Sequence, residues 1–439
     1  MMEMKKYKLG DLLDVKRGTS LSGEYYSTEG EYVRLTCGNF DYTNNSFKEN
    51  TSKDNIFYTG NVREEFIMQK GDIITPLTEQ AIGLLGSTAI IPESNKYIQS
   101  QDVAKIICNE TLLYPLYAFY LISSEIVKKQ LSAAAQQTKI RHTSPDKIKD
   151  CIVWIPELPK QKRIASILSA LDKKIALNRQ INQNLEALAR QLYDYWFVQF
   201  DFPDANGKPY KSSGGKMVYN PILKREIPEG WEGVVLRDVI QHINTGLNPR
   251  DNFTFGGEIK YITVKNLTKD GYIDFSSCDT IDEDARCKVH TRSQIEVGDI
   301  LYASICPLGR TYLITEEPND WDINESVFSI RPNYKKITSE YLNMLLKDDY
   351  YIAKLSNSST GSIFLGIRIK QLESTQILLP SYNILSAFTK QIKDIVRLQA
   401  KNYQQILSLT KQRDELLPLL MNGQVNFDLL VCDIIFARK

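Results

Sequence analysis

The chain repeats itself, and that repeat constrains its fold more than any other feature. Leu9-Gly10-Asp11 returns as Leu236-Arg237-Asp238. Thr36-Cys37-Gly38-Asn39 returns as Thr263-Val264-Lys265-Asn266, and Lys70-Gly71-Asp72-Ile73-Ile74 returns as Val297-Gly298-Asp299-Ile300-Leu301. All three share one spacing, 298 − 71 = 227 residues for the glycines. Each copy closes on a proline, Pro156 or Pro380, and runs into a long heptad-patterned segment. At 439 residues the chain exceeds one ordinary core, and the repeat divides it in two. A globular unit plus a helix, written twice, suits recognition of two similar objects a fixed distance apart.

Each globular copy reads as α+β. Short β-rich runs punctuated by Gly, Asn and Pro predict strands at Tyr32–Leu35, Asp72–Thr75, Thr88–Ile91 and Val103–Ile107. Apolar residues at helical spacing predict a helix over Leu112–Leu131, with its counterpart near Ser339–Leu355. The first long helix is expected from Lys160 to about Trp196. Its seam steps alternately four and three residues through Ile164, Leu168, Leu171, Ile175, Asn178, Asn182, Leu185, Ala189, Leu192 and Trp196. The second is expected from near Ser386, through Phe388, Ile392, Ile395, Gln399, Asn402, Ile406, Leu409, Arg413, Leu416 and Leu420. Two in-phase seams, each ~50 Å long at 1.5 Å per residue, are expected to bury each other. If a pseudo-two-fold axis relates the halves, the helices run antiparallel with one globular unit at each end. Asn at seam positions sacrifices stability for register.

The expected division is 1–158 for the first globular unit, 159–198 for its helix, and 199–230 for an extended Gly/Pro/Ser-rich connector. The second unit takes 231–381, its helix 382–424, and an apolar tail 425–439.

A formal net charge of +1 argues against wrapping nucleic acid by bulk charge, though a local basic face remains compatible with it. Seven cysteines without a C-x-x-C pair, and only three histidines, predict neither a disulfide framework nor a structural zinc. The N-terminus has no apolar stretch of a secretory leader, and no apolar run reaches ~20 residues, so no membrane span and a cytoplasmic location are expected. Gly214-Gly215-Lys216-Met217 lacks the spaced glycine and the Ser/Thr of a P-loop. Pro249, Asp251 and Glu258-Ile259-Lys260 only loosely evoke a metal-dependent nuclease. His142, His242 and His290 have no sequence-local acid or nucleophile. No catalytic site assembles.

Polar and basic residues do fall in corresponding loops. In the first copy they are Lys16, Arg17, Arg34, Thr36, Asn39, Lys139, Arg141 and His142. In the second they are Asn248, Arg250, Lys265, Asn266, Arg310, Arg368 and Lys370. Arg and Lys match guanine edges, Asn matches adenine, and all of them hold phosphates. These residues are the DNA-binding candidates. The paired helices alone equally suit a coiled-coil structural adaptor that binds protein partners without DNA specificity.

Several stretches resemble the specificity (S) subunit of type I restriction–modification systems. They are Gly71-Asp72-Ile73 with its repeat, Ile155-Pro156 through Pro159-Lys160-Gln161-Lys162-Arg163-Ile164, and Leu192-Tyr193 through Phe200-Asp201-Phe202-Pro203. Gly207-Lys208-Pro209 through Gly215, Ile227-Pro228-Glu229-Gly230-Trp231, and Leu416-Leu417-Pro418 through Gly423 complete the set. The chain departs from the family at Lys160, where Glu is usual, and at Ser381-Tyr382-Asn383, which opens the second helix without the signature. The resemblance implies two target recognition domains, each reading half of a split double-stranded DNA site, with antiparallel helices setting the unread gap. It implies a non-catalytic subunit that binds no cofactor. Two methyltransferase (M) subunits would carry S-adenosylmethionine and methylate adenine, and restriction (R) subunits would bring ATP, Mg and cleavage.

Overall fold

A computed structural model describes residues 3–51, 54–79, 84–134, 141–248, 253–358 and 366–424. The chain divides into two compact units, Met1–Ile175 with Ser408–Lys439, and Ala176–Leu407.

In the first unit the strand Ile73–Pro76 is an unbroken apolar run buried at all four positions. Successive residues of a strand face opposite sides of a sheet, so such a run needs a core on each face. Ile73 enters one core, with Leu9, Leu12, Ala104 and Ile106. Ile74 enters another, with Val33, Leu35, Phe40 and Val103. The sheet order is Ala89–Ile90, Ile73–Pro76, Val103–Cys108, Leu13–Arg17, all antiparallel. A second sheet pairs Tyr97–Ile98 parallel to Tyr32–Arg34, which is antiparallel to Phe57–Tyr58. Lys5–Lys8 pairs with Ile152–Ile155, so the unit's start and end close on each other.

The second unit repeats this plan in its main sheet and in the parallel pair beside it, although its second sheet has three strands where the first unit's has four. Ile300–Ala303 is again fully buried, with Ile300 and Tyr302 in one core and Leu301 and Ala303 in another. Its sheet order is Thr311–Leu313, Ile300–Ala303, Val327–Pro332, Ile240–Thr245. Ile259–Ile262 is flanked by parallel Trp321–Ile323 and antiparallel Asp279–Ile281. Glu232–Val235 closes on Gln376–Leu379. The repeated turn before each buried strand agrees bond for bond. Gly71 and Gly298 both take φ +94. The Asp72 carboxylate accepts from Gln69 N at 2.8 Å, and the Asp299 carboxylate from Glu296 N at 3.0 Å.

Three expectations need correcting. The helix expected over Leu112–Leu131 is two helices, Pro115–Ile122 and Glu125–Ala134. The hydroxyls of Ser123 and Ser124 donate to Phe119, Tyr120 and Leu121 carbonyls, competing with the backbone ladder. Its counterpart breaks likewise, into Ser339–Lys347 and Asp349–Ser358, at an extended Asp348. The stretch 199–230 is not merely an extended connector. Met217–Asn220 and Arg225–Pro228 form a hairpin, and Phe200, Phe202, Leu223 and Ile227 join the second unit's core.

The long helices span Leu158–Tyr193, continued by a π-helical turn over Asp194–Val198, and Tyr382–Met421. The residues on both expected seams are buried or half-buried. In the second unit Asn178 donates to Gln405 Oε1 and Asn182 to the Gln399 carbonyl, each at 3.2 Å. Tyr193, Trp196 and Phe197 pack on Phe388. In the first unit Arg413 donates to Asp172 at 3.3 Å, and Ile164 and Leu168 share a core with Leu420 and Met421. Rising numbers on one helix meet falling numbers on the other, so the pairing is antiparallel in both units. The tail 425–439 lies outside the described residues.

Candidate nucleic-acid interface

In the first unit four distant segments meet at the end of the buried strand Ile73–Pro76. The next residues, Thr78–Glu79, pair antiparallel with Arg141–His142. Leu77 N donates to the Asp102 carbonyl at 2.8 Å, and Thr143 N to the Leu77 carbonyl at 2.9 Å. Side chains continue the knot. The Thr78 hydroxyl donates to Asp102 Oδ1 at 3.1 Å and lies 3.3 Å from His142 Nδ1. The Cys37 thiol donates to the Thr78 carbonyl at 3.4 Å, tying in the Thr36–Asn39 turn. Arg17 Nε donates to the Gln101 carbonyl at 2.9 Å, which brings its guanidinium to the same edge. Lys16, Arg17 and His142 are exposed there.

The second unit has the same backbone knot with different side chains. Ile367 N donates to the Ser304 carbonyl at 2.7 Å, and Ser304 N to the Ser326 carbonyl at 3.0 Å. Ile305 bridges Gly366 where Thr78 meets His142. Asn248 donates to Glu325 at 2.7 Å. Arg368 stands at the N-cap of the short helix Ile369–Glu373, its N–H bonded to Gln371 Oε1 at 2.9 Å. Arg368, Lys370 and Lys265 are exposed.

Burial corrects the expectation for three candidates. Asn39 and Asn266, 1% and 2% exposed, close the repeated turn: their side-chain oxygens accept from Thr36 N at 2.9 Å and Thr263 N at 2.8 Å. Arg34, 7% exposed, donates to the Asn55 carbonyl at 3.1 Å and lies over the Tyr26 ring. A buried polar group bonded to backbone cannot leave without an unsatisfied partner, so these side chains serve the fold. Thr36 and Arg310 are half-buried. Thr36 Oγ1 accepts from Asn50 at 2.9 Å, and Arg310 donates to the Leu267 carbonyl at 3.0 Å. Lys139, Arg250 and the Arg141 side chain lie outside the described residues. Thr78, Asp102 and Glu325 were absent from the sequence-based candidates, because their partners lie far away in the chain.

Burial holds the Cys37 thiol up to about 11, so at neutral pH it stays protonated. His290 Nδ1 lies 3.1 Å from the fully buried Asp322, a carboxyl that burial pushes above its ordinary value. Among the described residues no group of three or more His, Cys, Asp or Glu is placed to hold a metal ion, and no helix is long and apolar enough to cross a membrane.

The chain is similar to known proteins over most of its length. The chain is 26% identical over 410 residues to the type I restriction enzyme MjaIX specificity subunit of Methanocaldococcus jannaschii, covering 91% of this chain and 84% of that one. It is 24% identical over 475 residues to the HindI specificity subunit of Haemophilus influenzae, covering 97% and 100%. The crystal structure of a type I restriction–modification S subunit from M. genitalium superposes with a TM-score of 0.59 at 16% identity, over 95% of this chain and 96% of that one. At that identity the likeness speaks for the fold alone. The profile of the type I restriction modification DNA specificity domain matches residues 1–187 and again 228–416. The two matches coincide with the two copies of the strand plan, and the chain belongs to the type I restriction–modification specificity-subunit family.

Proposed function

We propose that this chain is the sequence-reading subunit of a type I restriction–modification complex, and that each globular unit reads one half of a split double-stranded DNA site. One observation carries the reading: the same main sheet, the same turn before the buried strand and the same backbone knot occur twice, with different side chains at the knot. A scaffold held constant while its exposed edge changes is what two different half-sites require. Sequence is read at base edges, whereas phosphate contacts set position.

Lys16, Arg17 and His142 in the first unit, and Asn248, Lys265, Arg368 and Lys370 in the second, are the proposed contacts. The paired helices are the proposed spacer, and with the segments around them the proposed docking surface for two M subunits. S-adenosylmethionine, and the ATP and Mg of any R subunit, belong to those partners. The chain itself is proposed to do no chemistry and to work in the cytoplasm. A coiled-coil adaptor without DNA specificity has no counterpart among the relatives named above.

The test is binding of the purified S–M complex to site-containing DNA across a salt series. A DNA reader loses affinity steeply with salt. Arg368→Ala either removes about 1–3 kcal/mol of discrimination at one half-site, as a base contact would, or weakens all sequences equally and lowers the salt slope by about one, as a phosphate contact would. Salt-independent binding without discrimination would overturn the proposal.

A further inference from the structure

We infer that His142 reads the exocyclic amino group of an adenine or a cytosine in the major groove of the half-site bound by the first unit, accepting its hydrogen bond through Nε2. The inference rests on the DNA-reading role proposed above and adds to one of its proposed contacts an atom and a base class.

The argument begins at Asp102, whose carboxylate only accepts hydrogen bonds. The Thr78 hydroxyl has one proton and gives it to Asp102 Oδ1 at 3.1 Å. Its oxygen can then only accept from His142 Nδ1, 3.3 Å away. That fixes the neutral ring as the Nδ1–H tautomer and leaves the Nε2 lone pair as an acceptor, since the bond at one ring nitrogen decides the state of the other. His142 is exposed, which leaves the side of its ring away from Thr78 available to a ligand.

The mount is stiff. Thr78 and His142 pair through their backbones, Leu77 N is bonded to Asp102, and the Cys37 thiol holds the Thr78 carbonyl. A pre-ordered side chain gives up less entropy on binding. Arg17, anchored on Gln101 next to Asp102, supplies charge for a neighbouring phosphate. In the major groove, donors are the amino groups of adenine N6 and cytosine N4; guanine and thymine present acceptors instead. A fixed acceptor therefore accepts A or C and rejects G or T. The second unit has Ile305 in place of Thr78, opposite Gly366, so the device belongs to one half-site only, and the other half-site serves as an internal control.

The experiment maps methyladenine at base resolution in cells carrying the intact system with wild-type, H142A, T78V or T78S protein. In H142A one position of one half-site, A or C in the wild-type motif, is expected to widen. Discrimination there falls about five- to tenfold, the value of one neutral hydrogen bond. The other half-site and the gap stay unchanged. T78V is expected to widen the same position, and T78S, which keeps the hydroxyl, to restore it. An unchanged H142A motif overturns the inference, as does weaker methylation at all sites with no position widened. If H142A abolishes methylation altogether, the threonine pair decides: widening in T78V alone supports the inference, and T78V and T78S behaving alike overturns it. A split motif that stays methylated when the whole gene is deleted sinks the DNA-reading role itself, a separate outcome from an unchanged H142A motif.

Discussion

The rings of Tyr272 and Tyr403 stack face to face, with centroids 4.3 Å apart and planes 8° from parallel. The Tyr403 hydroxyl donates to the Ile273 carbonyl at 2.6 Å. A turn of the second globular unit thus grips the second long helix. Glu186 of the first helix bonds both Lys347 and Gln399 at the same place, so in this unit head and helices pack as one body. Y403F is expected to lose about 1 kcal/mol of stability, the value of the hydrogen bond. Y403A is expected to lose about 2–4 kcal/mol, with the stacking and burial added. Urea denaturation of the full chain measures both, and a neutral Y403A would contradict the grip.

The repeated glycines give a second test. Gly71 and Gly298 share φ +94, where a side chain is strained. A Cβ on Gly71 meets nothing within 4 Å, whereas one on Gly298 falls 2.5 Å from the Tyr334 hydroxyl. G71A is therefore expected to cost about 1 kcal/mol, from backbone strain alone. G298A costs more, because Tyr334 must also move. Matched thermal melts check the order, and equal losses would contradict it.

Asn402 occupies a seam position at 8% exposure, and its Nδ2 has no hydrogen-bond partner among the described residues. An unsatisfied buried amide is destabilising, while a polar seam residue restricts register. N402L is expected to raise stability by about 1 kcal/mol. N182L removes the bond to the Gln399 carbonyl and is expected to gain less or to lose. Denaturation midpoints separate the two.

Thiol labelling tests the cores. Burial raises the thiols of Cys37 and Cys151 to about 11 and those of Cys108 and Cys278 to about 12. Thiolate is the reactive form, so these four stay protonated and slow at pH 8. Of the six described cysteines, Cys287 and Cys306 are exposed and are expected to alkylate first, as peptide mass mapping of the native protein would show. Early labelling of Cys37 would contradict the packing beneath the interface.

The duplication was legible because its signals are local. A glycine at positive φ, the aspartate after it and an apolar run buried on both faces leave the same short motif wherever the structure needs them. The helix seams were legible for the same reason, as a period rather than a pairing. The serine hydroxyls that break Pro115–Ile122 from Glu125–Ala134 were not, because apolar periodicity continues across the break. Asn39 and Asn266 misled: an Asn that reads adenine and one that closes a turn look alike until burial is known. The knot of Thr78, Asp102 and His142 leaves no sequence signal, since strand pairing alone brings its members together. The glycines and prolines of 199–230 mark turns and so read as a connector, while Phe200, Phe202 and Ile227 make it part of a core.

The most direct measurement is base-resolution mapping of methyladenine in the host with this gene present and with it deleted. If the chain supplies sequence specificity, one split motif with a fixed gap is methylated in the first case and unmethylated in the second, and the motif itself gives both half-sites. In cells whose M subunit is expressed, an identical methylation pattern in the two cases would contradict the account.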